Sequence, residues 1–226
     1  MSGGLRLDLH VHSRCSPDGR AEVDQFVAAL SGRNLEGFAL TDHNTIAGHP
    51  RLAEIALEHP SIRLLPGVEV STAEGHLLAY GLTQLPPQGK AVAETVEWVE
   101  AHGGVPVLAH PFRRVHGVGD AIARRARVPS VETLNGHNGA RANARAAAVV
   151  SARRLGSTGG SDAHDPRDLG RTWTVFPEGA ATVDDLLEAL RRGTTTAAGR
   201  SADAGLRLQL AFRSLGLRIR RGFRPI

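Results

Sequence analysis

Gly160-Ser161-Asp162-Ala163-His164 follows Leu155-Gly156-Ser157-Thr158-Gly159, a run of small residues that reads as the end of a strand. It sets a carboxylate and an imidazole two residues apart. In an extended strand residues i and i+2 share a face, so Asp162 and His164 are expected to reach one pocket. The chain opens with the same spacing in Asp8-Leu9-His10-Val11-His12. Between these ends stand Thr41-Asp42-His43, Pro66-Gly67-Val68-Glu69, His76 and Ala109-His110-Pro111, each with a His or acid at or just past a strand-like segment.

The intervening segments are helical in spacing. Residues 22–33 put Val23, Phe26, Val27 and Leu30 on one face, and residues 90–102 do so with Val92, Val96 and Val99. Further helices are expected at 45–58, 118–127, 140–155 and 183–192, the last ended by Gly193 as a C-cap. Strands are expected at 5–11, 37–40, 62–65, 68–70, 76–80, 105–109, 130–134, 157–161, 172–176 and 194–198, with a hairpin at Glu74-Gly75. This alternation reads as an α/β protein with a mainly parallel sheet. In a β/α barrel all strand C-termini open on one face, where reactive side chains gather. The expected fold is therefore a barrel slightly short of eight strands. A doubly wound open sheet is the alternative, and it gathers ligands from so many strands less easily.

At 226 residues the chain suffices for one domain with a real core. No apolar run is long enough to span a bilayer. No long apolar core follows Met1-Ser2-Gly3-Gly4-Leu5-Arg6, so a signal peptide is not expected. Cys15 is the only cysteine, which excludes an intramolecular disulfide and points to a cytoplasmic setting. The net charge of +4 is unevenly placed. Six arginines (207, 213, 218, 220, 221 and 224) follow Ala204 and no acid does. Residues 1–203 thus hold 21 of the 27 basic residues against all 23 acids, a net −2. We divide the chain into a body, 1–203, and an Arg-rich, solvated tail, 204–226. The single lysine, Lys90, sits in a loop, which disfavours Schiff-base chemistry, and no P-loop motif is present.

Nine residues are candidate metal ligands: His10, His12, Asp18, His43, Glu69, His76, His110, Asp162 and His164. One His-x-His pair is weak evidence, but nine nitrogen and oxygen donors, most at strand ends, exceed the needs of one ion and suit two or three with a bridging carboxylate. His49, His59 and His102 read as surface residues; His116 and His137 lie in loops after strands, where they could line the pocket but are read as outside the site.

The motifs resemble the polymerase and histidinol phosphatase (PHP) family. The matching pieces are Asp8-Leu9-His10-Val11-His12-Ser13, Ser16-Pro17-Asp18-Gly19, Leu40-Thr41-Asp42-His43-Asn44-Thr45, Pro66-Gly67-Val68-Glu69-Val70-Ser71, His76-Leu77-Leu78-Ala79-Tyr80, Ala109-His110-Pro111 and Gly160-Ser161-Asp162-Ala163-His164. They occur in the family's order and reach to about Gly199. The resemblance implies a distorted (β/α)7 TIM-like barrel with a trinuclear metal site at its C-terminal face. It places His10, His12, Glu69 and Asp162 on one ion, Glu69, His76 and His110 on a second, and Asp18, His43 and His164 on a third. It implies a catalytic part for Asp162, His164 and Glu69. Sites of His and carboxylate accept zinc, manganese and iron alike, so the expected cofactor is two or three ions of one of these.

The activity so implied is phosphoester hydrolysis by a metal-activated hydroxide, on a small phosphorylated substrate, a nucleotide or a nucleic-acid end. A protein nucleophile is then unnecessary, and Cys15 reads as a plain loop residue. Phosphate also calls for fixed cationic or amide donors, and Arg20, Arg113, Arg171 and Asn135 follow the motifs closely enough to be candidates. Asp42 either orients a neighbour or caps a helix. The alternatives are a metal-dependent amide or lactone hydrolase and a non-catalytic, metal-stabilised interaction module. No membrane partner is expected, and the oligomeric state is open.

Overall fold

Strand alternates with helix for most of the chain, and the strands curl into a nearly closed barrel. A computed structural model describes residues 4–206, 208–210 and 212. The six tail arginines lie outside the described residues. In order the elements are β1 (Arg6–Val11), α1 (Val23–Leu30), β2 (Gly37–Leu40), α2 (His49–Glu58), β3 (Arg63–Ser71), β4 (His76–Tyr80), α3 (Val92–Ala101) and β5 (Val105–Leu108). There follow α4 (Gly119–Arg125), β6 (Ser130–Asn135), α5 (Ala140–Arg153), β7 (Gly156–Gly160), a 3-10 turn (Pro166–Asp168), β8 (Thr172–Val175), α6 (Val183–Arg192) and β9 (Thr196–Gly199).

The sheet order is β7-β6-β5-β4-β3-β2-β1-β8-β9. β7 then returns to β1 through a parallel bridge between Val11 and Ala163. There His12 donates its N–H to the Ala163 carbonyl at 2.8 Å, and Ala163 donates to that of His10 at 3.2 Å. The TIM-like barrel is thus present, but the mainly parallel sheet expected from the alternation is not. β3–β4, β4–β5, β1–β8 and β8–β9 are antiparallel. The hairpin at Glu74-Gly75 turns β4 against β3, and no helix lies between them to carry the chain back.

The two segments expected at 62–65 and 68–70 are one strand, β3, which changes partners at Pro66-Gly67. Residues 63–66 pair with β2 and residues 67–71 with β4. Proline has no N–H for a ladder, and here it sits where one ladder gives way to the next.

The helices seal the barrel outside and at one end. α1 and α2 bury Phe26, Leu30, Leu52 and Ile55 against Phe38, Leu40 and Leu64. α3, α4 and α5 cover Val68, Leu77, Leu108 and Val131. α6 starts at a capping box between Thr182 and Asp185 and ends at Gly193, at φ +65°. Its Leu186, Ala189 and Leu190 join Leu7, Leu65 and Val105, and Ser130 at the start of β6 donates its hydroxyl to the Leu190 carbonyl at 2.9 Å. α6 therefore stoppers the end where strands begin, which leaves the opposite end for chemistry.

β1 and β7 approach too closely for side chains on both. A Cβ on Gly160 would lie 2.3 Å from the Cβ of His10 and 2.7 Å from its backbone nitrogen. Gly160→Ala must push the two strands apart, at a cost of about 3 kcal/mol. We expect thermal unfolding to move down by about 6–12 °C. A midpoint equal to that of the parent chain would show that this contact does not close the barrel.

Candidate metal centre

Strand ends and the loops beside them deliver histidines and acids into one largely buried cluster, with His76 supplied by the first residue of the antiparallel β4. Glu69, 1% exposed and carried by β3, lies at its centre. Its Oε1 is 2.7 Å from His76 Nδ1 and 2.8 Å from His110 Nε2. Its Oε2 is 3.0 Å from His10 Nε2, 3.2 Å from His12 Nε2 and 3.3 Å from His43 Nδ1. Asp162 turns Oδ1 to the same imidazoles, 3.3 Å from His12 Nε2 and 3.7 Å from His10 Nε2. Asp18 lies on the other side, its Oδ2 3.0 Å from His164 Nε2 and 3.4 Å from His43 Nε2. All nine expected ligands are thus brought together.

The donors form one continuous cluster in which the implied sets run into one another. Donor atoms within 4.8 Å of one another fall into overlapping sets: His12, Asp18, His43 and His164; His10, His110 and Asp162; His10, His12 and Glu69; His43, Glu69 and His76; and His137, Asp162 and His164. His12 joins the Asp18 set, His43 the Glu69–His76 set and His110 the His10–Asp162 set.

The backbone reaches these positions partly through strained residues. Asp162 has φ +61° and His110 φ +27°, both in the region that side chains with a Cβ avoid. Strand alternation therefore does not explain the pairing of Asp162 with His164, since β7 has ended at Gly160. A left-handed residue turns the chain so that the two side chains still meet, with His164 Nδ1 3.6 Å from Asp162 Oδ1. Asp8 departs from the expected pattern too. Instead of pointing to the cluster, it accepts the N–H groups of His10 at 3.2 Å, and of Ser161 and Gly170 at 2.8 Å each. It ties β1 to the chain after β7, and burial raises its carboxyl to about 6.

Buried charge governs the electrostatics. Burial would raise Glu69, but His10, His43 and His76 hold it well below the usual carboxylate range. Burial would likewise raise Asp162, and Arg113, His10 and His137 keep it low. Burial would depress His12, yet the carboxylates of Asp162 and Glu69 beside its Nε2 push it up to about 10. Burial also opposes the charge on His10, which Asp162, Glu69 and Glu132 nonetheless raise. His110 moves the other way, to about 3, through burial and the nearby Arg113.

The donor set fits divalent cations. His12 is completely buried, and among the described residues neither of its ring nitrogens has a hydrogen-bond partner of good geometry. Nδ1 of His43 and of His110 is in the same position. Buried polar atoms without partners are rare, and imidazole nitrogens aimed between carboxylates are what a cation would satisfy.

Glu132 takes a part that its sequence context does not announce. Its Oε1 lies 2.9 Å from His10 Nδ1, which directs His10 Nε2 to Glu69. Its Oε2 accepts the His110 N–H at 2.8 Å and an Asn135 N–H at 3.1 Å. Asp42 accepts the Ser13 N–H at 2.6 Å and hydroxyl at 2.7 Å, so it holds the loop after His12 and caps no helix. His137 is drawn in, its Nδ1 3.8 Å from Asp162 Oδ2, and His116 stacks on His76 with ring centroids 4.6 Å apart. The sequence leaves both in loops after strands, able to line the pocket but read as outside it, and the fold brings them to the cluster's edge. Of the three that read as surface residues, His49 is half-buried, its Nε2 2.8 Å from the Gly67 carbonyl.

The four expected phosphate donors are placed differently from one another. Arg113 pairs with Asp162 and donates to Asn135 Oδ1 at 2.8 Å. Asn135 spends its amide N–H groups on Glu132 and Asp162. Arg20 is exposed on the loop after Asp18. Arg171 donates to the Ser201 carbonyl at 3.1 Å, outside the cluster.

Comparison with known proteins agrees with this architecture. A 5'-3' exoribonuclease of Haemophilus influenzae is 42% identical over 67 residues, covering 30% of this chain and 24% of that protein. PsfC of Pseudomonas syringae superimposes with a TM-score of 0.72 at 20% identity, over 96% of this chain and 98% of that one. A Bifidobacterium adolescentis protein assigned as a metal-dependent phosphoesterase does so with a TM-score of 0.63 at 19% identity, over 88% and 97% of the two chains. At these identities the structural likeness is one of fold. The PHP domain model matches residues 8–112 and the PHP-associated model residues 140–195, and with the barrel and its cluster of histidines and acids they show that the chain belongs to the PHP family.

Proposed function

We propose that this metal-dependent hydrolase acts on phosphoesters, in a site built by His10, His12, Asp18, His43, Glu69, His76, His110, Asp162 and His164. The observation that carries the reading is the five imidazoles gathered on the single buried carboxylate of Glu69. Two or three zinc, manganese or iron ions would suit these donors, which are imidazoles and carboxylates with no thiolate among them. When bound, such ions lower the pKa of a coordinated water and neutralise phosphate oxygens.

The chain's own residues do the rest. Glu132 fixes the tautomer and tilt of His10. Arg113, half-buried at the rim, holds Asp162 Oδ2 and leaves Oδ1 to face the cluster. The same guanidinium is near enough to the cluster to meet a phosphate oxygen on entry. Phosphodiester chemistry in the exoribonuclease that is 42% identical over 67 residues supports the phosphoester reading. Among the described residues no helix is long and apolar enough to cross a membrane. The single cysteine, Cys15, supports a cytoplasmic setting.

The test is phosphate release from a panel of phosphomonoesters, nucleotides and oligonucleotides. Chelator-stripped protein should be inactive, and reloading with manganese, zinc or iron should restore turnover. Metal-loaded protein that hydrolyses amides or lactones but no phosphoester would refute the proposal.

A further inference from the structure

After His164 the chain passes through the 3-10 turn into β8. That turn, the start of β8 and the end of β9 line an open groove of about 430 Å³. Its lining holds four arginines, Arg33, Arg167, Arg171 and Arg200, together with Trp173 and one carboxylate, Asp168. Residues 1–203 carry a net charge of −2, with 21 basic residues against 23 acids, so this is a local concentration and not a share of a basic surface.

The arginines are fixed in different ways. Arg33 donates to the carbonyls of Pro166 at 3.3 Å, Arg167 at 3.1 Å, and Leu169. Arg171 donates to that of Ser201 at 3.1 Å. Bonds to carbonyls hold a guanidinium in place without cancelling its charge. Arg167 is held by Asp165, at 2.8 and 2.7 Å. Among the described residues, Nε of Arg171 and Nε1 of Trp173 are buried donors with no hydrogen-bond partner. Such donors call for an acceptor that the described residues do not supply.

Arginine forks match phosphate oxygens, and an indole offers both an N–H and a ring on which a base can stack. Arg167 is three residues beyond His164, so their Cα atoms are within about 11 Å of each other. A nucleotide chain can therefore occupy both places at once. We propose that this groove binds the phosphodiester backbone of a single-stranded oligonucleotide whose reacting end lies in the metal cluster. The assignment of that strand as substrate rests on the phosphoester reading of the cluster.

Trp173 supplies the reporter. Trp98→Phe removes the other tryptophan, which lies in α3 stacked on His102. In this background, manganese-loaded protein is titrated with a short phosphorothioate oligothymidylate, which resists hydrolysis. Saturable quenching of Trp173 emission is expected. Arg171→Gln with Arg200→Gln should weaken binding about tenfold or more and lower the slope of log affinity on log salt by about two. Arg200→Gln alone, on an exposed side chain, should weaken it severalfold, so the result does not depend on the folding of the double variant. No quenching, or quenching that all variants share, would overturn the groove. Inorganic phosphate binding as tightly as the oligonucleotide would overturn the strand. Because binding is read without turnover, a panel of inactive phosphoesters with binding intact rejects the reading of the cluster alone. Turnover of a small phosphomonoester without oligonucleotide binding rejects the groove alone.

Discussion

Glu69→Gln should lower turnover at least about a thousandfold, equivalent to about 4 kcal/mol in the barrier. Five imidazole nitrogens lie 2.7–3.3 Å from its two oxygens. The amide keeps the shape and volume of the side chain, so the core around β3 is undisturbed. It removes the charge that the imidazoles face and puts an N–H₂ donor where one carboxylate oxygen had accepted. Whichever oxygen is replaced, either His76 and His110 or His10, His12 and His43 lose their shared acceptor. Metal content by mass spectrometry should fall together with turnover, while circular dichroism and the unfolding midpoint report whether the barrel is intact. A folded Gln variant that retained its metal and more than a tenth of the parent rate would remove Glu69 from the centre of the mechanism.

Much of this centre is legible because a histidine or acid at the end of an apolar strand breaks the local pattern. Leu7 and Leu9 are core, and His10 and His12 beside them have no packing reason to be imidazoles. The same contrast exposes His43 after β2, His76 opening β4 and His110 after β5. For Asp162 the spacing rule gives the right residue by the wrong geometry. Its side chain reaches the pocket through a left-handed backbone, which a spacing rule for strands does not contain. The partner change at Pro66 and the antiparallel pairs of β8 are hidden as well, since pairing direction depends on where the chain returns and not on strand composition. His116 and His137 lie in loops after strands rather than at a strand's last residue, and the folding of those loops brings them to His76 and Asp162.

Glu132 is the sharpest case of a residue that sequence pattern passes over, and its substitution carries the second large effect. In Ser130-Val131-Glu132-Thr133 it reads as the polar face of a strand. The structure shows it 1% exposed, and its partner His10 is 122 residues away in the chain. Glu132→Leu leaves His10 Nδ1 and the His110 N–H buried without an acceptor, whereas Asn135 keeps its bond to Asp162. Two such orphans cost about 4 kcal/mol together. The unfolding midpoint should fall by about 8–16 °C in a domain of this size. Glu132→Gln separates this structural cost from the effect on the metal centre, because its carbonyl oxygen can still serve one of the two donors. With the negative charge gone, His10 is a weaker and less firmly oriented ligand, and metal affinity should drop about 10–100-fold. Metal titration of the Gln variant and thermal unfolding of the Leu variant measure the two effects independently. If Glu132→Leu left the midpoint unchanged and Glu132→Gln bound metal as tightly as the parent, the carboxylate would be a bystander, and His10 would owe its orientation to Glu69 and Asp162 alone.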